Sequence, residues 1–314
     1  MRVCRHASAA QLPRIHLVRG WVNRLLPTSA PIVCPRQRTA KVLSRWSRIE
    51  LTKGGLSDGY LRVGRGRLAG GWCWKPIARH LRNQGHDAYP VTLTGLGERS
   101  HLAGPEVDLE THITDVVSLI EFEDLSDVVL LGHSYAGIVV TGAADRIPER
   151  VAQLIYLDSG PVPDGLAYLD TQSPEVRQHT EREVRTHGDG WRVPMPSWDE
   201  LENVHGASLE GLGEELRELM RSRAVAQPFG TYTQPLRLGN VGREALPKLL
   251  ITNSFGLAQV KELIASEHPW FRELAGPEWR FLELPTGHWP MFSRPDDLAA
   301  LLIDIPASEA ADIE

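Results

Sequence analysis

The sequence predicts an α/β chain: a mostly parallel central sheet flanked by helices, with a helical cap inserted between two of its strands. Three observations carry that prediction. From about residue 72 onward, amphipathic helical patterns alternate with short apolar runs, as expected of βαβ units. Several of those runs, among them DVVLLG (127–132), AQLIYLD (152–158) and PKLLITN (247–253), are almost continuously apolar, the pattern of strands covered on both faces. Between Gly160 and about Asn240 the texture turns polar and rich in Pro, Gly and charge, too long a stretch for a plain loop.

Each element follows in order. KPIARHLRNQ (75–84) reads as a helix closed by Gly85, and DAYPVTL (87–93) as a strand. Residues 94–108 form a loop, and LETHITDVVSLIEF (109–122) has the i, i+3, i+4 apolar spacing of a helix, with Asp108 as its cap. The three apolar runs then supply strands, WRFLELP (279–285) the last strand, and residues 296–303 a closing helix. Within the polar stretch only LEGLGEELRELMRSRA (209–224) reads as helical. The expected division is a core of residues 59–160 and 241–314, a cap of residues 161–240, and a basic extension of residues 1–58.

Composition narrows the class. The chain has 314 residues, 42% hydrophobic and 24% charged, with a net charge of −6, an ordinary globular balance that points to no polyanionic partner. Its three cysteines, Cys4, Cys34 and Cys73, lie far apart with no zinc-ligand spacing, so neither a metal nor a disulfide framework is expected, and a reducing, cytoplasmic setting fits. No run of about 18 uninterrupted apolar residues marks a membrane span. The charge is uneven: residues 1–50 hold ten Arg or Lys against a single acid, Glu50.

The chemistry concentrates in VVLLGHSYAGIVV (128–140). Gly132-His133-Ser134-Tyr135-Ala136 is a G-x-S-x-A variant of the nucleophile elbow, followed at once by Gly137. Such a serine sits at a sharp, strained turn between strand and helix, where small flanking residues let the chain pack beneath it. A serine hydroxyl needs a base, and His288, in the loop after the last strand, stands where a group from the sheet's carboxyl edge reaches Ser134. The imidazole in turn needs a carboxylate, which follows one of two strands. No acid follows LLITN until Glu262, whereas Asp158 directly follows LIYL; Asp158 is the favoured third member and Glu262 the alternative.

GGWCW (70–74), TLTGLGERSHL (92–102), DVVLLGHSYAG (127–137) and TGHWPMFSRP (286–295) together resemble the α/β-hydrolase superfamily, specifically its small bacterial esterase and hydroxynitrile-lyase-like branch, over about residues 60–303. The resemblance implies an α/β-hydrolase fold, a serine hydrolase with a helical cap and no cofactor, and the chain order Ser134, Asp158, His288. It also implies an oxyanion hole of two backbone N–H groups, one from Tyr135 and one from an early loop. Relatives carry His-Gly-Ala-Trp in that loop; here the chain reads YLRVGRGRLAGGWCW, which puts Arg67 at the donor position. One hypothesis joins this departure to the basic N-terminus: part of the chain before about residue 69 is an out-of-frame translation, which the coding DNA would test.

Trp72, Trp74, Trp289 and Met291 are expected to line an apolar acyl or alcohol pocket. GRGRLA (64–69) matches a relaxed dinucleotide fingerprint, but GGW intervenes where a helix should start, so no nucleotide is expected. The basic extension lacks a nucleic-acid or membrane motif and is expected to be a tail, disordered or mistranslated, with neither partner. No sequence feature fixes an oligomeric state. The function expected is hydrolysis of a carboxylic ester of a small, largely apolar substrate through an acyl-enzyme. A lyase on the same three residues, favoured by a pocket lysine, and a ligand-binding homologue without turnover are the alternatives.

Overall fold

The computed structural model describes residues 60–63, 70–267 and 271–305. The expectations placed on residues 1–58 and on Arg67 lie outside these residues.

Strands β1 (Tyr60–Val63), β2 (Ala88–Val91), β3 (Val128–His133), β4 (Val151–Leu157), β7 (Lys248–Thr252) and β8 (Trp279–Glu283) form, among the described residues, a six-stranded parallel sheet in the order β2-β1-β3-β4-β7-β8. β3 and β4 lie at its centre and are apolar along their length because both faces are covered. Alternate side chains serve opposite faces. Val128, Leu130, Leu154, Tyr156 and Leu250 pack with helices α2 (Leu109–Phe122) and α3 (Ala136–Arg146) on one side. Val129, Leu131, Ile155, Leu157, Leu249 and Ile251 pack on the other with α1 (Lys75–Asn83) and α10 (Pro295–Ile303). Asp108 caps α2 as expected: its side chain accepts from the Thr111 N–H at 2.9 Å while Thr111 Oγ1 faces the Asp108 N–H, an arrangement worth about 1 kcal/mol.

The chain between β4 and β7 adds no strand to this sheet. It holds α4 (Pro174–His187), α5 (Trp198–Asn203), α6 (Glu214–Ser222) and α7 (Gly230–Thr233), together with a short antiparallel ladder of β5 (Arg192–Val193) and β6 (Gln227–Pro228). The helix expected over 209–224 is shorter, because Gly211 at φ +77° and Gly213 delay its start to Glu214. The sequence reading missed α4 and α5, although both carry start signals. Ser173 caps α4 with Pro174 at its first position, and Ser197 with Glu200 forms a capping box for α5. Helices α8 (Leu257–Ala265) and α9 (Pro290–Ser293) flank the last strand.

Candidate active site

Register builds the site. His133, Leu157 and Ile251 are neighbours at the carboxyl ends of β3, β4 and β7, so the residues that follow them emerge side by side. Ser134 is the first residue after β3, and its φ of +54° is left-handed, costly for a residue with a Cβ and typical of strain held at a working site. The elbow is tied down from two directions: the Ser134 N–H donates to Leu157 O at 3.2 Å, and the Ser159 hydroxyl donates to Ser134 O at 2.5 Å.

The glycines beneath the turn explain the relaxed motif. A Cβ on Gly132 would lie 2.6 Å from Ala136 O, and one on Gly137 would lie 2.1 Å from Ser159 Oγ. Ala136 itself is accommodated, fully buried. The second point of close approach is therefore one residue later than the usual spacing.

Asp158 follows β4 directly, also with a positive φ, +44°, and its N–H donates to Ile251 O at 2.9 Å. His288 lies in the loop after β8. Its backbone is held on both sides: its N–H donates to Ser208 O at 2.9 Å, and its carbonyl accepts from His133 Nε2 at 2.7 Å. Gly287 before it lets the loop lie flat on the inserted segment, since a Cβ there would stand 2.4 Å from Glu210 O.

These constraints bring the three side chains into line. Ser134 Oγ stands 3.0 Å from His288 Nε2, and His288 Nδ1 stands 2.5 Å from Asp158 Oδ2. With the carboxylate as an acceptor only, Nδ1 carries the proton and Nε2 is left to accept from the hydroxyl. Burial alone would raise the Asp158 carboxyl out of its usual range. The His288 hydrogen bond and charge, with donors from Ser254 and Asn253, outweigh it and hold the group below its ordinary value. Glu262 is exposed on α8, away from this line.

Tyr135 occupies the N-cap of α3, and N–H groups at the start of a helix have no intrahelical acceptor and favour negative charge. Its ring points away from solvent into a cluster with Tyr168 and Tyr232. Its hydroxyl lies 2.9 Å from Nδ1 of the buried His112, whose Nε2 lies 2.9 Å from Thr94 O. A carbonyl only accepts, so Nε2 is protonated and Nδ1 accepts from the tyrosine. Desolvation pushes the His112 pKa down to about 4, which keeps the ring neutral.

A cavity of about 980 Å³ opens onto Ser134 and His288. Its wall combines Ile138, Val162, Val176 and Phe255 with Gln172, Ser173, Asn203 and His205, a mixed surface in place of the apolar one expected. The four residues predicted to line it do not. Trp74 and Trp289 are fully buried and Met291 nearly so, all in the core beneath the sheet's other face, while Trp72 packs against Phe292 and under the Arg223 guanidinium. The reason is directional: His288 turns toward Ser134, and its neighbour Trp289 consequently turns into the core, edge-on to the imidazole at 5.1 Å. Sequence reasoning also missed Ser159, Ser254 and Ser208, whose roles arise from segments distant in sequence meeting in space and leave no local pattern. Among the described residues no lysine or arginine lines the cavity, and these residues hold no cluster of potential metal ligands and no helix long and apolar enough to cross a membrane.

A parallel sheet with a strained serine turn between its central strand and the next helix, and a histidine loop returning to it after the last strand, defines the α/β-hydrolase class. The chain belongs to the alpha/beta hydrolase family, whose model matches residues 64–301. It is 35% identical over 239 residues to a carbendazim hydrolyzing esterase of Nocardioides sp. (strain SG-4G), covering 76% of this chain and 95% of that protein. It is 28% identical to a pyrethroid hydrolase of Sphingobium wenxiniae, covering 78% and 86%. Among solved structures, an extracellular alpha/beta-hydrolase from a Paenibacillus species superposes with a TM-score of 0.64 at 21% identity, covering 78% of this chain and 98% of that one, a likeness of fold.

Proposed function

We propose that the protein is a serine esterase that cleaves carboxylic esters through an acyl-enzyme on Ser134. The observation that carries the reading is the unbroken line from Ser134 Oγ through the His288 ring to Asp158, opening onto a cavity. Membership of the family and likeness to relatives named as an esterase and a pyrethroid hydrolase support it. Those names, together with a cavity of about 980 Å³, support a substrate larger than a simple alkyl ester.

In this reading Ser134 Oγ attacks the ester carbonyl as His288 Nε2 takes its proton, and Asp158 holds Nδ1–H and the developing imidazolium. The Tyr135 N–H faces the oxyanion, with the second donor expected from the loop that contains Arg67. Collapse of the tetrahedral species breaks the ester C–O bond, and Nε2 returns the proton to the departing alkoxide. Water, deprotonated by Nε2, then attacks the acyl carbonyl and frees the acid, and the proton passes back to Ser134 Oγ. A lyase reading calls for a lysine in the pocket, and the described residues that line it include none.

Hydrolysis of p-nitrophenyl esters of graded chain length, followed in the pre-steady state, tests the reading. A burst equal to the enzyme concentration, absent in Ser134→Ala, is expected. Unchanged turnover in that variant removes Ser134 from the chemistry.

A further inference from the structure

The carboxylate of Asp158 is gripped from the strand beside it. Ser254 stands two residues beyond the end of β7, at the strand terminus where the sequence places no acid. Its N–H donates to Asp158 Oδ1 at 3.2 Å, next to the Asn253 N–H at 3.1 Å. Its hydroxyl donates to Oδ2 at 2.5 Å, the oxygen that also receives His288 Nδ1–H at 2.5 Å. A carboxylate offers only acceptors, so the hydroxyl proton points at Oδ2. The side chain of Asp158 leaves a backbone at φ +44°, and four donors, two on each oxygen, fix the plane of its carboxylate.

We propose that Ser254 is a positioning residue for ester hydrolysis: its hydroxyl holds Asp158 Oδ2 in line with His288 Nδ1 and shares that oxygen with the imidazolium formed during the reaction. The inference rests on the esterase reading above. Without the hydroxyl, Oδ2 keeps one partner, and rotation of the carboxylate about its Cβ–Cγ bond is opposed only by the two N–H bonds to Oδ1 and by His288. When it does face Nδ1 it binds the imidazolium more tightly, because no second donor draws on the same oxygen. A serine that merely caps the turn after β7 would do neither.

The test is a double-mutant cycle on purified full-length protein with an aryl ester, each variant first checked for a cooperative melt. Ser254→Ala is expected to lower kcat about tenfold, the worth of one hydrogen bond to a charged group, with KM held within about twofold. The acidic limb of kcat/KM should move to higher pH, since a more tightly held imidazolium protonates more readily. Ser254→Thr, which keeps the hydroxyl, should stay within about threefold of wild type. In an Asp158→Asn background Ser254→Ala should cost less than about twofold more, because both act through one carboxylate. The low-field proton resonance of His288 Nδ1–H should shift in Ser254→Ala whatever its turnover. If the alanine variant does not melt cooperatively, Ser254→Cys, of similar size and a poorer donor, carries the same comparison. An unmoved acidic limb with wild-type kcat, a threonine variant as slow as the alanine one, or full additivity with Asp158→Asn overturns the proposal. An Asp158→Asn enzyme as active as wild type also overturns the proposal, whereas unchanged turnover in Ser134→Ala overturns the esterase reading beneath it, a separate result on a separate variant.

Discussion

The elbow and the inserted segment meet at one cavity, yet they are built on opposite rules. Around Ser134 almost every position is stereochemically forced: a left-handed serine, two glycines with no room for a Cβ, and central strands buried on both faces. Across the cavity, residues 198–208 carry Glu202, Asn203 and Gly206 exposed to solvent, with hydrogen bonds made mostly within their own capping motifs. The contrast separates a part of the site fixed by stereochemistry from a part held by local polar contacts. A strained turn tolerates almost no substitution, whereas a polar rim can be rewritten at little cost in stability.

Ser134→Gly presses hardest on that contrast. Removing the hydroxyl should lower kcat/KM for an aryl ester by at least about a thousandfold. Because glycine accepts a φ of +54° without penalty, the same variant should be more stable by about 1 kcal/mol in urea unfolding. A loss of stability would mean that the turn is not strained. Next comes Gly137→Ala, whose new Cβ would stand 2.1 Å from Ser159 Oγ and 3.0 Å from Gly160 O. It should destabilise by about 1–3 kcal/mol and distort the elbow, measured by thermal melting and by turnover.

The buried His112 gives a smaller, pH-dependent effect. Its pKa is near 4 in the fold against an ordinary 6.5, so the unfolded chain binds the extra proton. Stability is therefore fully present above about pH 6.5 and falls as the pH drops toward 4, with a slope of at most about 1.4 kcal/mol per pH unit from this group. His112→Gln, which can still donate to Thr94 O and accept from Tyr135, should flatten that slope in a series of denaturant melts. At the rim, Glu202→Gln should change unfolding free energy by less than about 0.5 kcal/mol while altering KM among substrates of different charge. A stability loss as large as that of Gly137→Ala would erase the distinction between the two regions.

The legible part of the site follows the same division. Ser134 could be read because its turn leaves a local signature of small residues, and His288 and Asp158 because strand order fixes which loops reach that turn. The absence of an acid after LLITN points to Asp158, but not to Ser254, whose hydroxyl reaches the Asp158 carboxylate from the end of that strand. Trp72, Trp74, Trp289 and Met291 are near the expected site along the chain, but the fold turns Trp74, Trp289 and Met291 into one core cluster with Trp72 packed against it. Helices α4 and α5 carry few apolar residues, so their periodicity is faint and their caps are the stronger signal.

The amide of His288 takes its acceptor, Ser208 O, from the inserted segment, and Gly287 lies flush against that segment's backbone. Anyone building chimaeras of this scaffold would be tempted to exchange the whole insertion for a relative's in order to change selectivity. Such a graft would also replace the backbone that holds the His288 amide. Junctions that leave residues 207–212 with the host, and trade only α4 and α5, would separate a change of substrate from damage to the catalyst.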